Sequence, residues 1–562
     1  MTLAPAAGTT TADRVATRLL GLLDDPGTGE VAHTVDWAGP LPLPLDGERD
    51  VQAACGLMHV HGLAAGRPAP LAVDFAGTAA GVLAAQGVTA ALVARARGGH
   101  PTTVRTSVAQ AALLALAQYL AAATSPEPGT QLAPGRPEFV SADGVRVELE
   151  ALYAEQWLHF WQHLDAPLAA VRHGWRPFQE RFGTAVCPLD PALAAAVHAV
   201  PLTALRTAAE HSGAALLPVR EDPAAPEQVP PWTLTALPGP ARPAPAEGGP
   251  LPRLPLAGLS VVESTRRVQG PLAGHVLRLL GARVLRIEPP GGDPMRGIPP
   301  TAAGCSARFS ALNSGKDTTE IDFTTTAGRD AVRQLARGTD VFLHNWAPGK
   351  AARLGLDAED LHRVQPGLVY GWASGWGGAL GPRPPVGTDY LVQAHTGLAA
   401  ALRPGDEPPA PSLLTVTDVL GGLLSAQAVL AALLARFRTG RGQRADSSLY
   451  SAAALVPRSP RRAQHGPLER PLACLDGYLW PGTEARAQPQ RTARALGATD
   501  PAALPATVRH RPTAEVHTVL TASGLPATPV CTDLAALARD PRFAPAVGIG
   551  AHAFVHPPWE FT

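Results

Sequence analysis

One stretch of this 562-residue chain occurs twice. The run Gly387-Thr-Asp-Tyr-Leu-Val-Gln-Ala-His-Thr-Gly-Leu398 has an earlier echo in Glu48-Arg-Asp-Val-Gln-Ala-Ala-Cys-Gly-Leu57. Val51, Gln52, Ala53, Gly56 and Leu57 fall on Val392, Gln393, Ala394, Gly397 and Leu398, all 341 positions apart, and Glu48 falls on Asp389. The same separation relates Gln86–Gly99 to Gln427–Gly440, where nine of fourteen positions are identical and six of those nine are not Ala. Ala-richness therefore does not produce the match. Asp143-Gly144 answers Asp476-Gly477, Ser212…Asp222 answers Ser523…Asp533, and Pro230-Pro-Trp232 answers Pro557-Pro-Trp559. A repeat of this length means two copies of one folding unit that bury related faces.

The copies are unequal. The sequence divides into an N-terminal segment (1–35) with one short helix, a partial copy (36–236) and a Pro/Gly/Ala linker (237–253). A large unit (254–455) and a small α+β unit (470–562) follow. The linker reads as a boundary because its prolines cannot donate regular backbone hydrogen bonds. Residues 254–375 have no counterpart in the first copy. They alternate strand and helix: strands at 259–263, 284–288, 340–345 and 367–372, helices at 272–280 and 328–335. That alternation predicts an α/β fold, a Rossmann-like parallel sheet whose ligands bind at the carboxyl ends of its strands. The rim then carries Glu288, Asn345 and the turn Ser374–Gly378.

Charge narrows the function. Lys plus Arg and Asp plus Glu both number 47, which argues against a general nucleic-acid binder or a polybasic membrane protein. The five cysteines are scattered without metal spacing, so no metal is expected, and reduced thiols in a cytoplasmic protein are. The N-terminus does not read as a signal peptide. The Ala-rich apolar segments 107–123 and 419–437 read as buried helices rather than membrane spans.

The large unit resembles the family III CoA-transferases, the group of formyl-CoA transferase, carnitine CoA-transferase and α-methylacyl-CoA racemase. The resemblance is carried by Val268-Gln-Gly-Pro271, Leu280-Gly-Ala-Arg-Val-Leu-Arg-Ile-Glu-Pro-Pro290, Leu312-Asn-Ser-Gly-Lys316 and Asp340-Val-Phe-Leu-His-Asn345. It continues through Arg353, Gly375-Trp-Gly377, Asp389, Gln393, Asp418 and Arg436-Phe-Arg-Thr-Gly-Arg-Gly-Gln443. It implies CoA transfer from an acyl-CoA to a carboxylic acid, with coenzyme A as substrate and Asp389 as nucleophile. Covalent catalysis by a carboxylate splits one difficult exchange into two easier ones. Read alone, Asp389 is an aspartate after a proline turn, and such residues mostly accept backbone hydrogen bonds. The resemblance further implies Gln269 as an amide donor at the active-site mouth, Asn345 and Arg353 as CoA contacts, and an interlocked homodimer. Lys316 and Arg286 are candidate phosphate contacts, and Gly377 belongs to a turn that lets the chain approach the thioester.

Departures keep alternatives open. Ser314 and Ala347 replace two family arginines, and no glycine-rich flap is evident in 455–475. A degenerate CoA-binding protein is one alternative. An acyl-CoA racemase is another, although Thr388 stands where racemases of the family carry a histidine and His395 reads as a packed helix residue. Glu48 lacks the strands of a CoA site, so the first copy reads as a structural or dimer-mimicking half.

Overall fold

The computed structural model describes residues 9–23, 25–127, 129, 132–239, 254–462 and 464–562. The expected linker lies outside the described residues from position 240 onward, as do residues 1–8. Two helices form the middle of the molecule, Phe75–Arg95 and Val416–Thr439. Both are long and apolar enough to cross a membrane by length and composition. Here they pack on each other inside the core, and a helix apolar on all sides needs apolar neighbours on all sides. The repeat-equivalent glutamines cross-link them: Gln86 Nε2 donates to Leu423 O at 2.6 Å, and Gln427 Nε2 to Thr89 Oγ1 at 2.9 Å. Buried amides are tolerated where they find such partners.

The expected α/β sheet is present. Its strands run in the order Asp317–Glu320, Arg283–Glu288, Ser260–Ser264, Val341–His344, Val369–Ser374, Gln443–Ser448 and Trp232–Ala236. Every pairing is parallel except the last. The central strands Val341–His344 and Val369–Ser374 are mostly apolar and buried, as a sheet covered on both faces requires, whereas Gln443–Ser448 beside the antiparallel edge is polar. Helix Gln269–Leu279 follows the first strand and packs against Val416–Thr439.

The expectation that nothing in the first copy matches 254–375 is corrected by the fold. Helix Thr11–Leu20 packs on Phe75–Arg95 as Gln269–Leu279 packs on Val416–Thr439. The contact is the same in detail. A Cβ at Gly422 would meet Gln269 O at 2.7 Å and Leu272 Cβ at 3.0 Å, and one at Gly81 would meet Ala12 O at 2.5 Å and Val15 Cβ at 2.7 Å. Likewise Ala32–Asp36 pairs parallel with Thr103–Ser107, Asp36 opposite Ser107, as Val369–Ser374 pairs with Gln443–Ser448, Ser374 opposite Ser448. The first copy thus keeps one helix and one strand of the sheet unit and has lost what lies between. The sequence does not reveal them because few residue identities, such as Ala16 with Ala273 and Leu20 with Leu277, survive beside the packing positions.

The two copies exchange their tails. The tail of the first copy, strands Phe139–Val140, Arg146–Glu150 and Ala215–Pro218 with their helices, packs on helix Asp389–His395 of the second. Arg220 N–H donates to Ala394 O at 2.9 Å. The small unit of the second copy covers helix Glu48–Ala54 in the same way, with Cys531 N–H donating to Ala53 O at 2.9 Å. The exchange ends in strand pairing: Trp232–Ala236 joins Gln443–Ser448, and Glu560–Phe561 joins Thr103–Ser107. The interlocking that the resemblance implies between two chains is made here within one.

Candidate active site

Asp389 opens its helix and is buried to 3% exposure. Its carboxylate lies against the first turn of Val416–Thr439, where helix N–H groups have no partner of their own. Oδ1 accepts from Thr417 N–H and Oγ1, both at 2.6 Å, and from Asp418 N–H at 2.9 Å. Oδ2 accepts from Gln393 Nε2. The helix N-terminus favours negative charge. Burial nonetheless pushes the Asp389 carboxyl up to about 6, with these hydrogen bonds opposing. Above that pH it is a carboxylate with one oxygen, Oδ2, bound by a single donor.

Glu48 repeats the arrangement. It accepts from Ala76 N–H at 3.0 Å, Gly77 N–H at 2.7 Å and Gln52 Nε2 at 2.8 Å. The donors are the repeat-equivalents of Thr417, Asp418 and Gln393. The surroundings differ: Asp389 lies on the wall of a cavity of about 1150 Å³ and Glu48 does not. That volume exceeds the roughly 300–1000 Å³ of ordinary small-molecule pockets.

One end of the cavity is cationic. Arg266, Lys350 and Arg353 line it, and burial, then the Arg266 and Arg353 charges, lower the Lys350 ammonium. Asn345 also lines it but spends both ends of its amide on the backbone of Arg266, accepting from N–H at 3.0 Å and donating to O at 2.9 Å. It fixes the loop that presents the cations. Lys350 lies over the rings of Phe323 (5.1 Å) and Trp346 (5.8 Å).

Beside Asp389 the wall is acidic and comes from both copies. Asp418 and Gln269 belong to the second, Glu150 and Phe182 to the first. Gln269 Nε2 donates to Ser374 O at 3.1 Å, leaving its second N–H free to donate. Burial, then the neighbouring Asp389 charge, push Asp418 well above the carboxylate range, against Arg267. Glu150 is held by Arg181 at 3.2 Å, and that guanidinium lies 4.6 Å over the ring of Tyr390. Thr388 lines the cavity with its Oγ1 unpaired. His395 packs edge-on against Trp376 at 5.5 Å, and burial lowers it.

Two expected phosphate contacts are corrected. Lys316 Nζ is buried and saturated by Glu263 (2.9 Å), Pro271 O (2.8 Å) and Asn313 Oδ1 (3.0 Å). Arg286 is equally enclosed, paired with Glu263 at 2.9 Å, Glu288 at 3.5 Å and Asp293. A buried charge so matched holds strands together, and neither side chain lines the cavity. Gly377 (φ +59°) donates its N–H to Ser374 Oγ at 3.0 Å, one residue beyond the wall formed by Gly375 and Trp376. Lys350, Asp418 and Glu150 were not singled out as site residues. For Lys350 the signal was its place directly after Pro348-Gly349. For Glu150 there was none, because it reaches the site from 239 positions away.

The model of CoA-transferase family III matches residues 48–229 and 256–461. Over 207 residues the chain is 36% identical to a probable fatty acyl-CoA transferase of Mycobacterium tuberculosis, covering 36% of this chain and 52% of that protein. Over 203 residues it is 35% identical to an acetyl-CoA:oxalate CoA-transferase of Acetobacter aceti, covering 35% and 52%. A succinyl-CoA:glutarate CoA-transferase of Mus musculus is 35% identical over 202 residues, covering 35% and 46%. The chain thus spans about half the length of the curated relatives it matches. Among solved structures, a CAIB/BAIF family protein from Brucella suis aligns with 28% identity and a TM-score of 0.49, over 54% of this chain and 91% of that one. With its family model matched across both copies of the repeat, the chain belongs to CoA-transferase family III.

Proposed function

We propose that the chain transfers CoA from an acyl-CoA to a carboxylic acid through a covalent intermediate on Asp389. The observation that carries this reading is a single cavity with a helix-capped aspartate on its wall and a cluster of three cations, Arg266, Lys350 and Arg353, at one end. Those cations take the place of the arginines missing at Ser314 and Ala347. A guanidinium fork suits phosphate oxygens, and coenzyme A carries three phosphoryl groups. In the first step Asp389 Oδ2 attacks the thioester carbonyl. A C–O bond forms, the C–S bond breaks and CoA leaves as thiolate. The thiolate then attacks the Asp389 carbonyl of the anhydride, releasing the donor carboxylate and leaving an aspartyl thioester. The acceptor carboxylate reverses both steps, and no net proton is needed. The free N–H of Gln269 and the unpaired Thr388 hydroxyl are donors available to developing oxyanions.

Trapping tests the reading. With acyl-CoA present, hydroxylamine is expected to leave a hydroxamate on Asp389, detected by peptide mass spectrometry. An unmodified Asp389 and no CoA exchange across a panel of acyl-CoAs and acids would sink the proposal. A second reading, proton exchange at the acyl Cα, is favoured by Asp418, a second carboxyl on the cavity wall whose pKa burial and then the Asp389 charge push up. It predicts deuterium wash-in at Cα without any acceptor acid.

A further inference from the structure

A second cavity, of about 340 Å³, lies beside the one that Asp389 faces. It belongs to the tail of the first copy and is lined by Arg206, Ala209 and Glu210 of helix Leu202–Ser212 and by Ala214 and Leu216 after it. Leu152, Pro385 and Val386 line both cavities, and Arg266, Lys350 and Arg353 line only the larger. Three half-buried apolar side chains therefore separate the two spaces, and Val386 stands only three residues ahead of Asp389. The two sides of this partition are held differently. Gln156 fixes Leu152: its Oε1 accepts from Leu152 N–H at 2.8 Å and Tyr153 N–H at 3.3 Å, and its Nε2 donates to Gly213 O at 2.7 Å. Pro385 and Val386 belong to a strap, 382–386, whose three prolines have no N–H to donate. Among the described residues one hydrogen bond ties the backbone of the strap, from Trp376 Nε1 to Pro385 O at 2.9 Å. Its base is pinned, since a Cβ at Gly387 would meet Gly375 Cα at 2.5 Å. Loops so lightly tied move on the nanosecond to microsecond scale, and parting apolar side chains breaks no hydrogen bond.

We infer that the carboxylic acids reach and leave Asp389 through this partition, by way of the outer cavity, while CoA stays on its cations. The inference rests on the transferase reading. In the aspartyl thioester the CoA sulfur is bonded to the Asp389 carbonyl carbon, and the rest of CoA runs from there to Arg266, Lys350 and Arg353. The departing donor acid and the incoming acceptor cannot pass along that route without displacing a covalently held group. The outer cavity offers a path that shares no residue with the cationic end. Arg206 is the cation on its wall, and among the described residues no carboxylate lies within ion-pair distance of it. An acid arriving by this path meets that guanidinium first and the apolar partition second. The width of the partition, rather than its charge, then sets which acids pass.

The experiment closes the path reversibly in the full chain. Ala214 is half-buried on the wall of the outer cavity, and Ala214→Cys is treated with methanethiosulfonates of increasing size. The wild-type chain is treated in parallel, because Cys305, Cys474 and Cys531 are not fully buried. Transfer from one acyl-CoA to acetate, isobutyrate and benzoate is then followed. Modification is expected to lower kcat/KM for the acids about tenfold or more, most for benzoate. Dithiothreitol should restore it, and the treated wild type should lose far less. CoA affinity, measured by titration, should change less than about twofold, which a general loss of structure would not allow. Leu152→Ala widens the partition and should raise kcat/KM for benzoate relative to acetate by about threefold or more. Modified Ala214→Cys that serves every acid at its unmodified rate, or that loses CoA affinity in step with transfer, would overturn the inference alone. So would Leu152→Ala with the preference among acids unchanged. Absence of transfer to every acid by the untreated wild type would overturn the transferase reading and this inference with it.

Discussion

At the scale of single residues the site is a set of carboxyls tuned by what surrounds them. Asp389 is raised to about 6 in the fold, above its ordinary value near 4, and burial is the main cause. Its protonated form is thus the one the fold prefers. The stabilisation it contributes is full below about pH 4 and is lost as pH rises through about 6. Chemistry needs the opposite form. Turnover is expected to fall as pH drops through about 6, while Asp389→Asn should lower kcat at least about a thousandfold. The same variant should melt higher than the parent at pH 8 and no higher at pH 4, by calorimetry. A stability gain at neither pH would show that the carboxylate's hydrogen bonds outweigh its desolvation. The two lysines make a second contrast. Lys316→Ala leaves Glu263 buried without its ammonium partner and should cost about 3–5 kcal/mol of stability. Lys350→Ala, at the cavity, should raise KM for acyl-CoA several-fold with little change in melting temperature. If Lys316→Ala raises KM and spares stability, its assignment to the strand core is wrong.

At the scale of elements, docking of each tail depends on the glycine that separates the two short helices after the acid. Gly397 has φ +75°, and a Cβ there would meet Asp222 O at 2.1 Å; Gly56 has φ +88°, and its Cβ would meet Leu534 Cδ2 at 2.5 Å. Both a positive φ and a close approach require glycine at these positions. Gly397→Ala is expected to push the tail of the first copy off helix Asp389–His395. The Arg220–Ala394 hydrogen bond would break, and the wall carrying Glu150 and Phe182 would open. Hydrogen exchange should show the loss of protection at Arg220 and across Arg146–Glu150. Gly56→Ala strains the other tail and should leave those amides protected, so activity would survive in a less stable protein. The clash at Gly56 is with the end of a flexible leucine rather than a carbonyl, so its cost should be the smaller of the two.

At the scale of the whole molecule the chain carries out within itself an exchange that the resemblance places between two subunits. Each tail already has its acid-bearing helix, and each outer strand its sheet. The chain is expected to run as a monomer of 58.1 kDa by light scattering and to take up one equivalent of CoA. Glu48 keeps the hydrogen bonds of a nucleophile but does not line the cavity onto which Asp389 opens. Trapping reagents should therefore label Asp389 and leave Glu48 unmodified. A dimer, or two equivalents of CoA per chain, would contradict this account.

The sequence by itself determined the family, the α/β class and the candidate nucleophile. Each rests on local pattern: apolar runs of strand length, turn residues between them, and a motif set held in order. Gln269, Asn345 and Arg353 were legible for the same reason and do line the cavity. The roles of charged residues were not legible. Lys316 and Arg286 look like Lys350 and Arg353 until burial separates the saturated pairs from the available ones, and burial is a property of the packed molecule. Nor could the sequence show that Glu150 and Phe182 wall the site of Asp389, or that Thr11–Leu20 is the counterpart of Gln269–Leu279. Contacts between copies more than 200 residues apart leave no periodicity. Only the tertiary structure, by crossing the tails, decided that one of two equivalent acids faces a binding cavity and the other does not.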